Sequence, residues 1–228
     1  MSTFCFYPIK PADYTEALNL FWTELMPHEQ TTRLSKSYNG TKIANLDLIM
    51  RQLLQLNVSY MAKTNSGEIA GVIFCAIDKI DTFPDKLPCK SFYLKTGWPE
   101  RFINVLLLLD QAIDHKQFMK NKRVKQKFDL FAVVVKKKYQ RQGLATQLIL
   151  KAIQEAKNMN FNIITMISTS KFTQQICIKL GFNIENTIFY KDWYCDHIKV
   201  CNDDEIDPIH QSMIVYFKCV CIHCIHCK

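Results

Sequence analysis

The sequence predicts a mixed α+β domain built on a central sheet, and three observations carry that reading. Segments with strand-like and helix-like periodicity alternate along the chain. Residues 58–62 and 69–77, joined by Asn65, Ser66 and Gly67, have the pattern of a β-hairpin. An apolar β-branched run ending in Val133, Val134 and Val135 passes through a short polar turn into a helical pattern of Leu144, Leu148, Ile149, Ala152 and Ile153.

The elements follow in order. Phe4, Cys5, Phe6 and Tyr7 before Pro8 read as a short first strand. Residues 12–25 have helical spacing through Tyr14, Ala17, Leu18, Phe21 and Leu25, and a second helix is expected over 46–56. After the hairpin, residues 79–99 carry Pro84, Pro88 and Pro99 and read as loop. Residues 101–119 read as one helix with a strongly apolar face, 128–135 as a strand and 142–159 as its helix. A buried strand over 161–167 precedes a helix over 172–180, which Gly181 ends. Strands over 182–190 and 213–220 complete the pattern.

The chain is long enough for one substantial core, and no linker divides it. One domain over 1–220 and a Cys/His-rich tail over 221–228 are therefore expected. The 48% hydrophobic content excludes a disordered chain. The longest apolar stretch, near 103–109, is far short of the ~20 residues that span a bilayer. Lys10 and Asp13 interrupt the N-terminal apolar residues too early for a secretory signal. Of the ten cysteines, four fall in the last ten residues, an uneven distribution for a disulfide framework. A cytoplasmic monomer with reduced thiols and no membrane partner is the expectation. The net charge of +8 and the run Lys120, Lys122, Arg123, Lys125 and Lys127 invite a nucleic-acid reading. No aromatic residues are interleaved for stacking on bases, so the run reads as a solvated helix end and loop.

The turn after Val135 points to an anion. A strand that enters a helix through a glycine turn leaves several backbone N–H groups unpaired at the helix start. The positive end of the helix dipole adds to them, and a phosphate or pyrophosphate fits such a site. Gly143 has no Cβ to hold a ligand off the backbone. The spacing is neither that of a Walker loop nor that of the Rossmann glycine turn. A basic turn that merely starts a helix has the same local pattern, so corroboration has to come from elsewhere.

Gln140, Gly143 and Ala145 resemble the Gln/Arg-x-x-Gly-x-Gly/Ala signature of the GNAT superfamily of acyl-CoA N-acyltransferases. The segment from Ser168, Thr169 and Ser170 to Lys179, Leu180, Gly181 and Phe182 resembles the arylalkylamine N-acetyltransferase branch. Phe189, Tyr190, Lys191, Asp192 and Trp193 are similar to the aromatic-x-Asp-aromatic segment that follows in that branch. His28 and Glu29 match the acidic pair of its N-terminal motif, with Gln30 in place of proline. The resemblance runs over about 7–220 and implies a mostly antiparallel sheet, splayed between the strands at 128–135 and 161–167.

It also implies acetyl-CoA as cosubstrate and a small-molecule amine as acceptor. In that family the loop, here Gln140, Arg141, Gln142, Gly143, Leu144, Ala145 and Thr146, holds the pyrophosphate. The preceding strand, here with Val133 and Val135, bonds the pantetheine arm and polarises the thioester carbonyl. A protonated amine must lose a proton before it attacks, and a nearby carboxylate serves as general base. The alignment puts Glu29 in that role, with Glu24 as fallback; a helix-start glutamate favoured by the dipole is the plain alternative. Thr169 and Thr173 match two serines to which the family assigns catalytic support. One of Ser168, Thr169 and Ser170 is also expected to cap the following helix. Cys177 stands where many relatives have a tyrosine general acid, and a small buried thiol is the competing reading.

The resemblance implies acetyl transfer to an arylalkylamine of the dopamine, tyramine or serotonin type, by direct attack in a ternary complex. Two alternatives stay open: a GNAT enzyme acting on a polyamine or protein lysine, and a non-catalytic module that binds coenzyme A. In the tail, Cys219, Cys221, His223, Cys224, His226 and Cys227 offer soft ligands. No second pair of ligands stands on a folded element, so no metal site is assigned.

Overall fold

Residues 4–84 and 89–220 are described by a computed structural model. β1 (Phe4–Pro8) ends at a proline, which has no N–H to continue a ladder. α1 (Tyr14–Leu20) turns Ala17, Leu18 and Leu20 inward and continues as a π-helical turn, Phe21–Leu25. α2 (Gln30–Leu34) is too short to have shown a period in the sequence. α3 (Ala44–Gln55) faces Leu46, Met50 and Leu54 to the core. β2 (Tyr60–Thr64) and β3 (Ile69–Lys79) form the expected hairpin, with Gly67 at φ 85° in its turn.

Two expectations need correction here. Residues 79–99 are not all loop, because α4 (Lys90–Lys95) forms within them. The expected helix over 101–119 is two, α5 (Glu100–Ala112) and α6 (His115–Asn121). Ile113 between them is extended at φ −154° and ψ 124°. Asp114 then caps α6 by accepting the Gln117 N–H at 2.8 Å.

β4 (Gln126–Val135), α7 (Leu144–Asn158), β5 (Ile163–Ser168) and α8 (Lys171–Lys179) follow as predicted to within a few residues. After β6 (Asn183–Phe189), β7 (Tyr194–Cys195) and β8 (Ile198–Lys199) make a small hairpin that the sequence did not announce. β9 (Ser212–Cys219) closes the main sheet. The six thiols of Cys5, Cys75, Cys89, Cys177, Cys195 and Cys201 carry no disulfide. Of the tail ligands only Cys219 lies in the described part; residues 221–228 fall outside it.

The seven strands run in the order β1-β2-β3-β4-β5-β9-β6. Neighbours are antiparallel except β4 and β5, which are parallel and paired at only two positions, Phe128 with Ile164 and Asp129 with Thr165. Beyond that pair the two strands part. On the β3 side Phe74 opposes Ala132 and Cys75 opposes Leu130, so Phe131 is an extra residue in β4. A bulge of this kind bends its strand, and here the bend starts where β5 is left behind.

Helices cover both faces of the sheet. One face packs on α1, α3, α5 and α6, through Leu18, Met50, Leu54 and Leu108 among others. The other packs on α7, through Leu148, Ile149, Ala152 and Ala156, and on Cys177 of α8. Each fully buried leucine or isoleucine contributes roughly 1.5–3 kcal/mol.

The basic run is not wholly solvated. Lys127 is fully buried, and its ammonium meets Asp78 Oδ2 at 2.5 Å, Thr165 Oγ1 at 2.9 Å and Asp129 Oδ1 at 3.4 Å. Burial alone would favour the neutral amine, but Asp129 and Asp78 outweigh it and hold Lys127 above the usual lysine value. Among the described residues no helix is long and apolar enough to cross a membrane.

Candidate active site

The parting of β4 and β5 leaves one edge of β4 without a partner strand. Lys136 N–H donates to the Ala70 carbonyl at 2.9 Å, on the β3 side. Backbone groups alternate along a strand, so those of Val133 and Val135 face the gap. The Val135 carbonyl is met there by Gln140 Nε2 at 3.1 Å, which ties the turn back to its own strand.

After a short 3₁₀ turn at Lys137–Tyr139, the chain takes two left-handed residues, Arg141 at φ 61° and Gly143 at φ 77°. For Gly143 this conformation carries no Cβ penalty; for Arg141 it is strained. None of the six N–H groups from Arg141 to Thr146 has an acceptor among the described residues, while Gln147 N–H begins the helical ladder on the Gly143 carbonyl. Free N–H groups and the positive end of the 15-residue α7 thus meet at one place.

That place is the wall of a cleft of about 460 Å³. Val133 and Val135 form one side, Gln140, Arg141, Gly143, Leu144, Ala145 and Thr146 the end, and Phe172, Thr173 and Ile176 of α8 the other side. Gln142 is the one cofactor candidate outside this lining; its side chain turns back to the Lys138 carbonyl at 3.4 Å. Tyr139, which sequence reasoning passed over, also lines the cleft.

Glu29 sits at the N-cap of α2, half-buried. Its carboxylate accepts Thr31 N–H at 3.1 Å, Thr31 Oγ1 at 2.7 Å and Thr32 N–H at 2.8 Å. A carboxylate has about four acceptor positions, so about one stays open. The capping reading holds, and it leaves an acceptor position on the carboxylate free. Glu24, the fallback, instead accepts the Lys137 N–H at 3.3 Å and belongs to the turn before α7.

Thr173, in the first turn of α8, lines the cleft, while Thr169 precedes the helix and is not in the lining; neither hydroxyl has a partner among the described residues. Tyr190 links this region to Glu29. Its hydroxyl donates to the Thr169 carbonyl at 3.0 Å. Burial, then the charge of Glu29, raises the Tyr190 phenol well above its ordinary value.

The expected Ser/Thr cap of α8 is not made. Ser170 occupies the N-cap without a side-chain bond, and Ser168 Oγ donates to the Ser170 carbonyl at 3.1 Å. His210 supplies the acceptor from 39 positions away, taking the Lys171 N–H on Nδ1 at 3.0 Å. An accepting Nδ1 requires a neutral ring with its proton on Nε2. Cys177 points into the core under α8, and burial pushes its thiol up to about 12. The buried reading holds for it.

Residues 112–198 match the family model of the acetyltransferase (GNAT) domain. Among solved structures, the chain is similar to arylalkylamine N-acetyltransferase 2 from Aedes aegypti, with a TM-score of 0.85 and 23% identity over 95% of this chain and 99% of that one. A mosquito arylalkylamine N-acetyltransferase like 5b superposes at a TM-score of 0.80 with 14% identity, over 96% of this chain and 100% of that one. A Drosophila melanogaster polyamine N-acetyltransferase, described as forming N-acetylagmatine, gives 0.78 with 12% identity over the same shares. No curated protein matches the sequence. The chain therefore shares the fold of these acetyltransferases, and residues 112–198 match the GNAT acetyltransferase domain model.

Proposed function

We propose that this GNAT-fold chain transfers the acetyl group of acetyl-CoA to the primary amine of an arylalkylamine of the dopamine, tyramine or serotonin type. The observation that carries the reading is the set of six unsatisfied N–H groups at Arg141 to Thr146, at the end of a cleft opened by the parting of β4 and β5. Acetyl-CoA supplies an acetyl group activated as a thioester. Gln140 to Thr146 bind its pyrophosphate, and the gap-facing backbone of Val133 and Val135 binds the pantetheine arm and polarises the thioester carbonyl.

Glu29 takes the amine proton on the open position of its carboxylate, directly or through a water. The amine nitrogen then forms a bond to the carbonyl carbon while the C–S bond breaks; the nitrogen's second proton passes to solvent, and the departing sulfur takes its proton from solvent. Thr169 and Thr173 offer unpartnered hydroxyls to the amine or the sulfur. Among the described residues the cleft lining holds no cysteine, and Cys177 is buried in the core. This lining is consistent with direct attack in a ternary complex, the route proposed here.

The fold is shared by arylalkylamine acetyltransferases and a polyamine acetyltransferase, so the acceptor is decided by measurement. CoA release is followed with dopamine, tyramine, serotonin, agmatine, spermidine and a lysine peptide. Aromatic amines are expected to give the highest kcat/KM. Glu29→Gln should lower kcat at neutral pH by about 10² or more, the contribution typical of a positioned base. Turnover of aromatic amines undiminished in Glu29→Gln removes the base assignment; acetyl-CoA binding with no turnover on any amine leaves only a binding module.

A further inference from the structure

Two of the three lysines beside the loop do not face the cleft. Glu68, the residue before β3, receives Lys136 Nζ on Oε1 at 3.0 Å and Lys138 Nζ on Oε2 at 2.7 Å. The hydroxyl of Tyr139 donates to the same Oε2 at 2.7 Å. One carboxylate thus collects three anchor points from the 136–139 segment, across 68 to 71 positions of sequence. Lys138, Tyr139 and Lys136 hold the Glu68 carboxyl down at about 2.

These contacts fix the segment that leads into the loop. Lys136 is the first residue after β4, and its backbone is bonded to Ala70 of β3. Tyr139 lines the cleft, and its ring packs edge-on against Phe4 at 5.7 Å. Gln140, next in line, returns to the Val135 carbonyl. The direction of the six open N–H groups is therefore set on one side by Glu68 and on the other by α7. A loop ordered before its ligand arrives does not lose that conformational freedom on binding.

We infer that Glu68 is a positioning residue for the acetyl-CoA loop, acting through Tyr139, Lys136 and Lys138 from the opposite side of the turn. The inference rests on the assignment of the cleft to acetyl-CoA under Proposed function. Its sign is distinctive. If the lysines served as phosphate ligands masked by Glu68, neutralising Glu68 would release them and tighten binding. If Glu68 holds the loop in shape, the same change weakens binding although the protein becomes more positive.

Calorimetric titration of acetyl-CoA into wild type, Glu68→Gln, Glu16→Gln and Tyr139→Phe tests it, with melting curves run alongside. Glu16 is exposed and reaches only Lys136, at 3.7 Å, so it controls for the loss of one nearby negative charge. Glu68→Gln should raise the Kd about ten-fold, or about 1.4 kcal/mol. Its kcat at saturating acetyl-CoA and its KM for the amine should stay within about two-fold, as for a residue that affects cosubstrate binding alone. Tyr139→Phe keeps the ring and loses one anchor, so a rise of about three-fold is expected, and it carries the test should Glu68→Gln not fold. Glu16→Gln should bind as wild type does. Binding by Glu68→Gln as tight as wild type, or tighter, overturns the inference alone, and so does an equal loss in Glu16→Gln. Wild type that takes up no acetyl-CoA overturns the cleft assignment and this inference with it.

Discussion

Replacing Lys127 by methionine removes the ammonium group and keeps most of the aliphatic stem. In the fold that ammonium is fully buried between Asp78, Asp129 and Thr165. Its loss leaves two carboxylates facing one another with no cation, and burial and like charge then push Asp78 upward. Breaking a buried pair from one side costs about 3–5 kcal/mol. The side chains of Asp78 and Asp129 keep 26% and 15% of their exposure, so water and proton uptake relieve part of the loss. A cost near the lower end, about 3 kcal/mol, lowers Tm by roughly 6–12 °C for a chain of this size.

The pH dependence carries the sign. A carboxyl whose folded value is raised favours the folded state as pH falls through that value. The deficit of Lys127→Met should therefore shrink between pH 7 and pH 5.5 in thermal melts followed by circular dichroism. Adding Asp78→Asn to Lys127→Met should recover part of the lost Tm at pH 7. A Lys127→Met protein that melts within about 1 °C of wild type at pH 7 refutes the claim that this ammonium holds the cluster together.

His115, stacked on Phe83 at 4.7 Å, is held down to about 4 by burial and by the charge of Lys127. The unfolded chain binds this proton first as pH falls through 6.5, so up to ~3 kcal/mol of stability is lost between pH 6.5 and 4. His115→Phe keeps the stack and should flatten that slope in urea titrations at pH 7 and 4.5; equal slopes in the two proteins would contradict it. Gly71 lies where a Cβ would meet the Val134 carbonyl at 2.9 Å and Leu148 Cδ1 at 3.1 Å. Gly71→Ala should cost about 1–3 kcal/mol and weaken acetyl-CoA binding by displacing the adjacent Val135 wall. An unchanged Tm and Kd would show that β3 and α7 yield freely there.

What was legible in the sequence follows from how locally each feature is determined. The hairpin, α7 and β9 were readable because their apolar spacing and turn residues lie within one window. The break between α5 and α6 was written as Asp114 followed three positions later by Gln117, but the apolar period runs through it and hid the cap. The burial of Lys127 was not readable. Lys127 and Phe128 are adjacent in β4, point to opposite faces, and are both buried, because helices cover the sheet on both sides. Alternation distinguishes inside from outside only where one face meets water.

The same division separates the two halves of the candidate site. The anion loop depends on main-chain geometry, and a strand, a glycine and a helix in immediate succession specify it within fifteen residues or so. The groups that hold the loop and α8 in place are Glu68, Tyr190 and His210, at separations of 71, 21 and 39 positions from Tyr139, Thr169 and Lys171. No spacing rule connects such pairs; the sheet order does, by bringing the β2–β3 turn under the end of β4 and the approach to β9 against the start of α8. His210 makes the point chemically. Three hydroxyl residues stood in line to cap α8, and local preference favoured any of them. A buried imidazole acceptor took the role instead, and the hydroxyls of Thr169 and Thr173 have no partner among the described residues.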